Sequence, residues 1–205
     1  MKPANTTQDG PARIAGISAD PNNRNVTVGQ GLWGTLASNL YNVRLRTSST
    51  GLNGSSPDLR APAGSATTAL QHVVYTRDSG GTARIYVDGV QVEDDPINGD
   101  LSNWDADYKL VLGNEATGDR PWAGDLYKAA FYDCDLTAED VELLYEESTN
   151  SNSCHPGMSM EAEDGTLNDA FTIWTDAAAS GGHSPRRREG GGPTTRRSHP
   201  SAPAR

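Results

Sequence analysis

The residues best equipped for chemistry in this chain are carboxylates, gathered in the run Glu93-Asp94-Asp95-Pro96-Ile97-Asn98-Gly99-Asp100, with Asp105 and Asp107 beyond. Calcium takes roughly six to eight oxygen ligands, and loops rich in Asp, Asn and Gly supply them. Asp94, Asp95 and Asp100 are therefore candidate ligands, although the spacing fits no EF-hand loop and acidic turns are also commonly just solvated. Next comes Asn103-Trp104-Asp105. An indole there could stack on the apolar face of a sugar ring while Asn103 and Asp105 hydrogen-bond its hydroxyls. Trp33, Trp122 and Trp174 are further stacking candidates of the same kind. The competing reading uses Trp104, like Trp122, for core packing.

Other chemistries lack their residues. A glycosidase needs two carboxylates placed roughly 5 to 10 Å apart across the scissile bond. The acidic group Glu139-Asp140-Glu142 falls on a helix instead. His72, His155, His183 and His199 show no zinc spacing. Neither a G-x-S-x-G elbow nor a phosphate loop is present. The residues predict binding without catalysis.

The elements that must position these residues are mostly strands. Arg13 to Ser18 and Asn25 to Gln30 read as a strand pair turning at Asp20-Pro21-Asn22-Asn23. Tyr41 to Thr47 alternates, with Tyr41, Val43 and Leu45 on one face and Asn42, Arg44 and Arg46 on the other. Residues 48–68 are rich in Ser, Gly, Pro and Thr and read as a long loop. Leu70 to Arg77, Thr82 to Val87 and Val90 to Glu93 follow as strands. Asp88-Gly89 between the last two predicts a type I′ hairpin, which needs positive φ at both central residues. After a loop from Asp94 to Asp107, strands are expected at Tyr108 to Gly113 and within Trp122 to Tyr132, including Leu126 to Phe131. Thr137 is placed to cap a single short helix, with Asp140 three residues on and Leu136 and Val141 as a hydrophobic staple.

These phrases carry a resemblance. H-V-V-Y-T-R with I-Y-V-D-G-V, then L-V-L-G-N-E, then R-P-W-A-G-D-L-Y with F-Y-D-C-D-L-T-A-E-D-V, follow one another over residues 72–141. With G-P-A-R-I-A-G-I-S-A-D and R-N-V-T-V-G-Q upstream, the chain resembles the bacterial secreted laminin-G-like domains of the concanavalin-A-like jelly-roll superfamily. The resemblance implies an all-β, antiparallel jelly-roll sandwich with one short C-terminal helix, followed by a disordered tail. It implies an extracellular module that binds polysaccharide or glycoprotein, with calcium as a candidate cofactor, and is no enzyme. The alternatives are a protein-binding adhesion or structural module, or an accessory module of a glycoside hydrolase whose catalytic domain lies elsewhere. Related hydrolases carry Glu-x-Asp-x-x-Glu on one strand, a pattern with no strand counterpart here.

Domain boundaries follow from the same likeness. Residues 1–147 form the sandwich, with the first strands of the family expected before Lys2 and no signal peptide visible. Residues 148–157 read as a linker. Residues 158–182, with Met160-Glu-Ala-Glu and Ala179-Ser-Gly-Gly, resemble the start of a carbohydrate-binding module, in which Glu161 and Glu163 would help hold calcium. Cys134 and Cys154 flank the helix and could form a disulfide in a secreted protein, or stay as two free thiols.

Charge divides the chain. From His183 onward six arginines face one glutamate, a charge of +5, so the remaining residues carry −15 of the net −10. An acidic body argues against nucleic acid, whose phosphates need Lys and Arg. The basic segment 183–205 has almost nothing apolar to bury and is expected to be disordered, either an authentic tail for anionic polymers or frameshifted translation. No run of about eighteen apolar residues exists, so no membrane-spanning helix is expected.

Overall fold

The computed structural model describes residues 1–33 and 37–149 in full, and the backbone of two further strands, Phe171–Thr175 and His183–Arg187. In chain order the strands are β1 (Lys2–Pro3), β2 (Ala12–Asp20), β3 (Asn23–Gln30), β4 (Tyr41–Leu45), β5 (Leu59–Arg60), β6 (Val73–Arg77), β7 (Thr82–Val87), β8 (Val90–Pro96), β9 (Lys109–Leu112) and β10 (Gly124–Asp125). The helix α1 (Ala138–Thr149) follows, then β11 (Phe171–Thr175) and β12 (His183–Arg187). The chain divides into two units, Met1–Met158 and Ser159–Arg205. In the second, β11 and β12 pair antiparallel with Ile173 opposite Pro185.

The first unit is an antiparallel sandwich. A five-stranded sheet runs in the order β5-β4-β3-β2-β9, and a three-stranded sheet runs β6-β7-β8. Ile14, Val26, Tyr41, Val43, Leu45 and Leu59 from the larger sheet share one apolar core with Ala83 and Ile85 of β7. Burial of these side chains is the main force holding the two layers together, at about 1.5–3 kcal/mol for each Val, Leu or Ile. The alternation expected along Tyr41–Leu45 is present, with Tyr41, Val43 and Leu45 facing the core.

Two β-bulges decide what the opposite face of the larger sheet carries. Along β2–β3, Arg13 pairs with Gly29 but Ala15 pairs with Val28, so Ile14 is an extra residue. Ile17 pairs with Val26 but Ser18 pairs with Arg24, so Asn25 is extra on the other strand. Each extra residue shifts the side-chain alternation by one, exchanging the faces beyond it. Without the second bulge, Arg24 would share the core face of Val26. With both, Arg13 and Arg24 stand on the outer face while Ile14 and Val26 stay inside.

Several local expectations hold. Asp88 (φ 53°) and Gly89 (φ 81°) are both left-handed, as the hairpin requires. Thr137 and Asp140 make a reciprocal cap: the Thr137 amide donates to Asp140 Oδ2 (2.8 Å), and the Asp140 amide donates to Thr137 Oγ1 (3.2 Å). Others differ. β8 runs on to Pro96, because Asp94 and Asp95 pair opposite Arg84 and Ala83. Residues 126–132 contain no strand; only Gly124–Asp125 pair there, with β1. Within the expected loop 48–68, Leu59–Arg60 add a short edge strand because Leu59 is drawn into the core. Among the described residues no helix is long and apolar enough to cross a membrane.

Candidate functional site

The outer face of the five-stranded sheet carries a cleft of about 190 Å³ lined by Pro11, Arg13, Pro21, Asn22, Arg24, Trp33, Arg44, Asn53 and Arg120. Four arginines and no acid form this wall. Arg13 comes from β2, Arg24 from β3 and Arg44 from β4. Arg120 comes from the loop after β9, whose backbone continues the sheet: the Arg13 amide donates to the Arg120 carbonyl (3.0 Å), and the Gly113 amide to the Ile14 carbonyl (2.8 Å). Asn114 holds this loop in shape, its Oδ1 accepting from the Arg120 amide (2.9 Å) and its Nδ2 donating to the Gly118 carbonyl (3.2 Å).

That loop inserts Glu115 beneath the cleft. Glu115 is 3% exposed, Arg13 1% and Arg24 2%. Arg24 Nε donates to Glu115 Oε2 (3.2 Å), and Arg13 Nε lies 3.5 Å from the same oxygen. The other oxygen accepts from the Ser18 hydroxyl and from the Ala116 amide (3.2 Å). One carboxylate thus serves two buried guanidinium groups. Arg24 has further acceptors in the carbonyls of Pro21 and Asn53. Arg13 has none: its Nε, Nη1 and Nη2 all lie buried without a hydrogen bond. A Cβ at Gly29 would stand 2.8 Å from the Ala12 carbonyl oxygen and 3.1 Å from Arg13 Nη1, so glycine there leaves space for both the neighbouring strand and this guanidinium.

The rim is only loosely neutralised. Asp58 lies 3.9 Å from Arg44 but accepts hydrogen bonds from Arg60 and Asn42. Asp119 lies 3.8 Å from Arg120 but accepts from the Thr117 hydroxyl. The Nε atoms of Arg44 and Arg120 are also buried without an acceptor. Burial first, then the other arginines, pushes the Arg13 guanidinium down to about 9, so it stays charged at neutral pH. Arg24 and Arg44 are lowered too, burial again being the largest cause. Beside them Trp33 stands 65% exposed, with the Arg120 guanidinium 4.5 Å from its ring centroid.

Of the tryptophans singled out from the sequence, Trp33 lines this cleft, while the other described candidates lie elsewhere. Trp104 packs against the core and its Nε1 donates to the Arg46 carbonyl (2.7 Å). Asn103 Nδ2 donates to the Thr47 carbonyl (2.9 Å), and the Asp105 amide and carbonyl are both bonded to the Asn25 side chain. These three hold the loop to the sheet rather than forming an open platform. Trp122 is a core residue whose Nε1 donates to Gln30 Oε1 (2.9 Å). Asp94 and Asp95 are neighbours on β8 and so point to opposite faces of the sheet. Asp100 accepts from the hydroxyl and amide of Ser102, which, the hydroxyl first, hold its carboxyl below the usual range. Among the described residues, no three His, Cys, Asp or Glu side chains gather as a metal would require. Cys134 is exposed, while Cys154, Glu161 and Glu163 lie outside the described residues.

A second cleft of about 370 Å³ separates the β7–β8 hairpin from the start of α1, lined by Asp78, Arg84, Tyr86 and Gln91 among others. Its arginine is already paired, Arg84 Nη1 donating to Asp78 Oδ2 at 3.0 Å.

The sequence concealed the arginine cleft because its members are far apart in the chain and two of them change faces at bulges. The available signal was Arg13 and Arg24 inside otherwise apolar strands, where a buried charge demands a partner.

Comparison with known proteins agrees with this fold. No curated protein sequence matches the chain. Among solved structures, one from Bacteroides ovatus ATCC 8483, provisionally named a carbohydrate binding protein, is similar with a TM-score of 0.51 and 16% identity. The alignment covers 91% of this chain and 52% of that one, so the chain spans about half the length of its structural neighbour. Residues 1–142 match the laminin G family model described as concanavalin A-like lectin/glucanases superfamily, and the chain belongs to that family.

Proposed function

We propose that the sandwich is a non-catalytic carbohydrate-binding module of an extracellular protein, and that it binds through the outer-face cleft. The observation that carries this reading is Trp33, whose exposed indole forms one wall of a cleft that also carries four guanidinium groups and two side-chain amides. An apolar ring face beside directional polar groups is what a sugar presents in mirror image: C–H faces for stacking, hydroxyls for hydrogen bonds. Asn22 and Asn53 add amides to the guanidinium groups. The cleft wall offers no carboxylate pair for hydrolysis, which favours retention of the ligand over its cleavage. The family and the provisional name of the structural neighbour support the same reading.

A glycan array probed with the whole chain tests it, with Trp33→Ala as control and parallel arms in calcium and in chelator. Sugar binding that is lost in Trp33→Ala supports the proposal. Silence on every glycan, with capture of a protein ligand instead, overturns it. Loss of signal in chelator would add calcium, through Asp100 or through Glu161 and Glu163.

A further inference from the structure

We infer that the cleft recognises a single sugar residue bearing an oxyanion, a carboxylate or a sulfate, seated on the guanidinium groups of Arg13, Arg44 and Arg120. This rests on the carbohydrate-binding reading and specifies its ligand class.

Charge balance is the first argument. Four guanidinium groups line the cleft, and Glu115, buried against Arg13 and Arg24, has both oxygens already engaged. The rim acids Asp58 and Asp119 stand at 3.9 and 3.8 Å, beyond hydrogen-bonding distance, with other donors bound to them. Donor balance is the second. Arg13 is 1% exposed and not one of its guanidinium nitrogens donates a hydrogen bond within the protein. A buried charge with unmet donors is costly, and an oxyanion supplies two acceptors in the planar geometry that a guanidinium fork matches. The arginines also repel one another, and an anion among them would relieve that repulsion.

Size and surroundings narrow the ligand. At about 190 Å³ the cleft is smaller than the roughly 300–1,000 Å³ that holds a drug-sized molecule, so it fits one ring rather than a chain. Trp33 supplies the stacking surface that a bare phosphate or sulfate ion would not use. The residues before His183 carry −15, so a long polyanion would be repelled by the rest of the surface. A local pocket for one acidic sugar suits such a protein better than a polyanion-binding stripe.

The test is calorimetric titration of the whole chain with glucuronic acid, galacturonic acid, N-acetylneuraminic acid, galactose 6-sulfate, and the neutral parents glucose and galactose. At least one acidic sugar should bind about 30-fold or more tightly than its neutral parent, the loss expected when a buried charge partner is removed. The identity of the winner tells carboxylate from sulfate. Arg44→Met and Arg120→Gln, at the rim where the side chains are 17% and 20% exposed, should each lower that preference while thermal unfolding stays close to wild type. Arg13→Met would add the strongest loss, and circular dichroism must first show it folded; the rim variants decide the matter if it is not. Equal binding of acidic and neutral sugars overturns this inference and leaves the carbohydrate reading standing. Unchanged acidic-sugar binding in both rim variants overturns it as well. No binding of any sugar overturns both.

Discussion

The guanidinium of Arg120 lies 4.5 Å from the centre of the Trp33 ring, joining the loop after β9 to the start of the β3–β4 connection across the cleft mouth. This cation–π contact is worth about 0.5–1 kcal/mol at an exposed site. It orients the indole more than it stabilises the fold. Trp33→Ala should therefore change the unfolding free energy by no more than about 1 kcal/mol while removing most of the fluorescence change on ligand binding. Acrylamide quenching with and without sugar checks this: the ligand should shield Trp33 and leave the buried Trp122 unaffected.

Among the described residues, Glu115 is the carboxylate in contact with both Arg13 and Arg24. Glu115→Gln leaves two buried guanidinium charges without it, and breaking such a group costs about 3–5 kcal/mol. A urea titration should show a lower midpoint with an unchanged slope. A variant as stable as wild type would mean that water, not Glu115, balances the arginines.

His72 stacks on Tyr145 with ring centroids 6.1 Å apart, and its Nδ1 is buried without a partner. Burial first, then the N-terminal amine, lowers its pKa below the ordinary 6.5. The folded protein thus resists protonation that the unfolded chain accepts. Stability should be unaffected by this group above pH 6.5, and should fall as pH drops from 6.5 toward the lowered folded value. His72→Gln should flatten that part of the profile in chemical unfolding measured at intervals from pH 7.5 to 5.

The helix depends on its cap. Thr137→Ala removes the hydroxyl that accepts from the Asp140 amide and donates to Asp140 Oδ2 (2.7 Å), at a cost of about 1 kcal/mol. The Thr137 hydroxyl, then its amide, holds the Asp140 carboxyl below the usual range. Its contribution is therefore complete above the ordinary carboxylate pKa and is lost as pH falls through the lowered one. Hydrogen exchange along Ala138–Thr149 should accelerate in the variant at pH 7, while the sheet amides stay protected.

These examples show what the chain declares in advance. The Asp88-Gly89 hairpin and the Thr137 cap are local: a few adjacent residues specify the backbone, and the structure obeys them. So is the alternation of β4, where side-chain period and burial agree. The arginine cleft is not local. Its charges stand at positions 13, 24, 44 and 120, and only strand pairing assembles them. The Asn25 bulge moves Arg24 off the core face, and no turn residue or composition shift announces it. The acidic run drew notice for its density, yet Arg84 opposite Asp94 and the buried Ile97 tie it into a strand and its anchor. Tryptophan alone does not separate the candidates: Trp104 and Trp122 spend their indole N–H groups inside the fold, while Trp33 is exposed.

The most direct test of the outer-face cleft is a ¹H–¹⁵N titration with the best-binding acidic sugar, following the Trp33 indole and the Nε signals of Arg13, Arg44 and Arg120. The account predicts that these four move together and saturate with the calorimetric affinity, while the Trp104 indole stays still. Saturable shifts centred on Trp104 and Asp105, with the arginine signals unmoved, would contradict it.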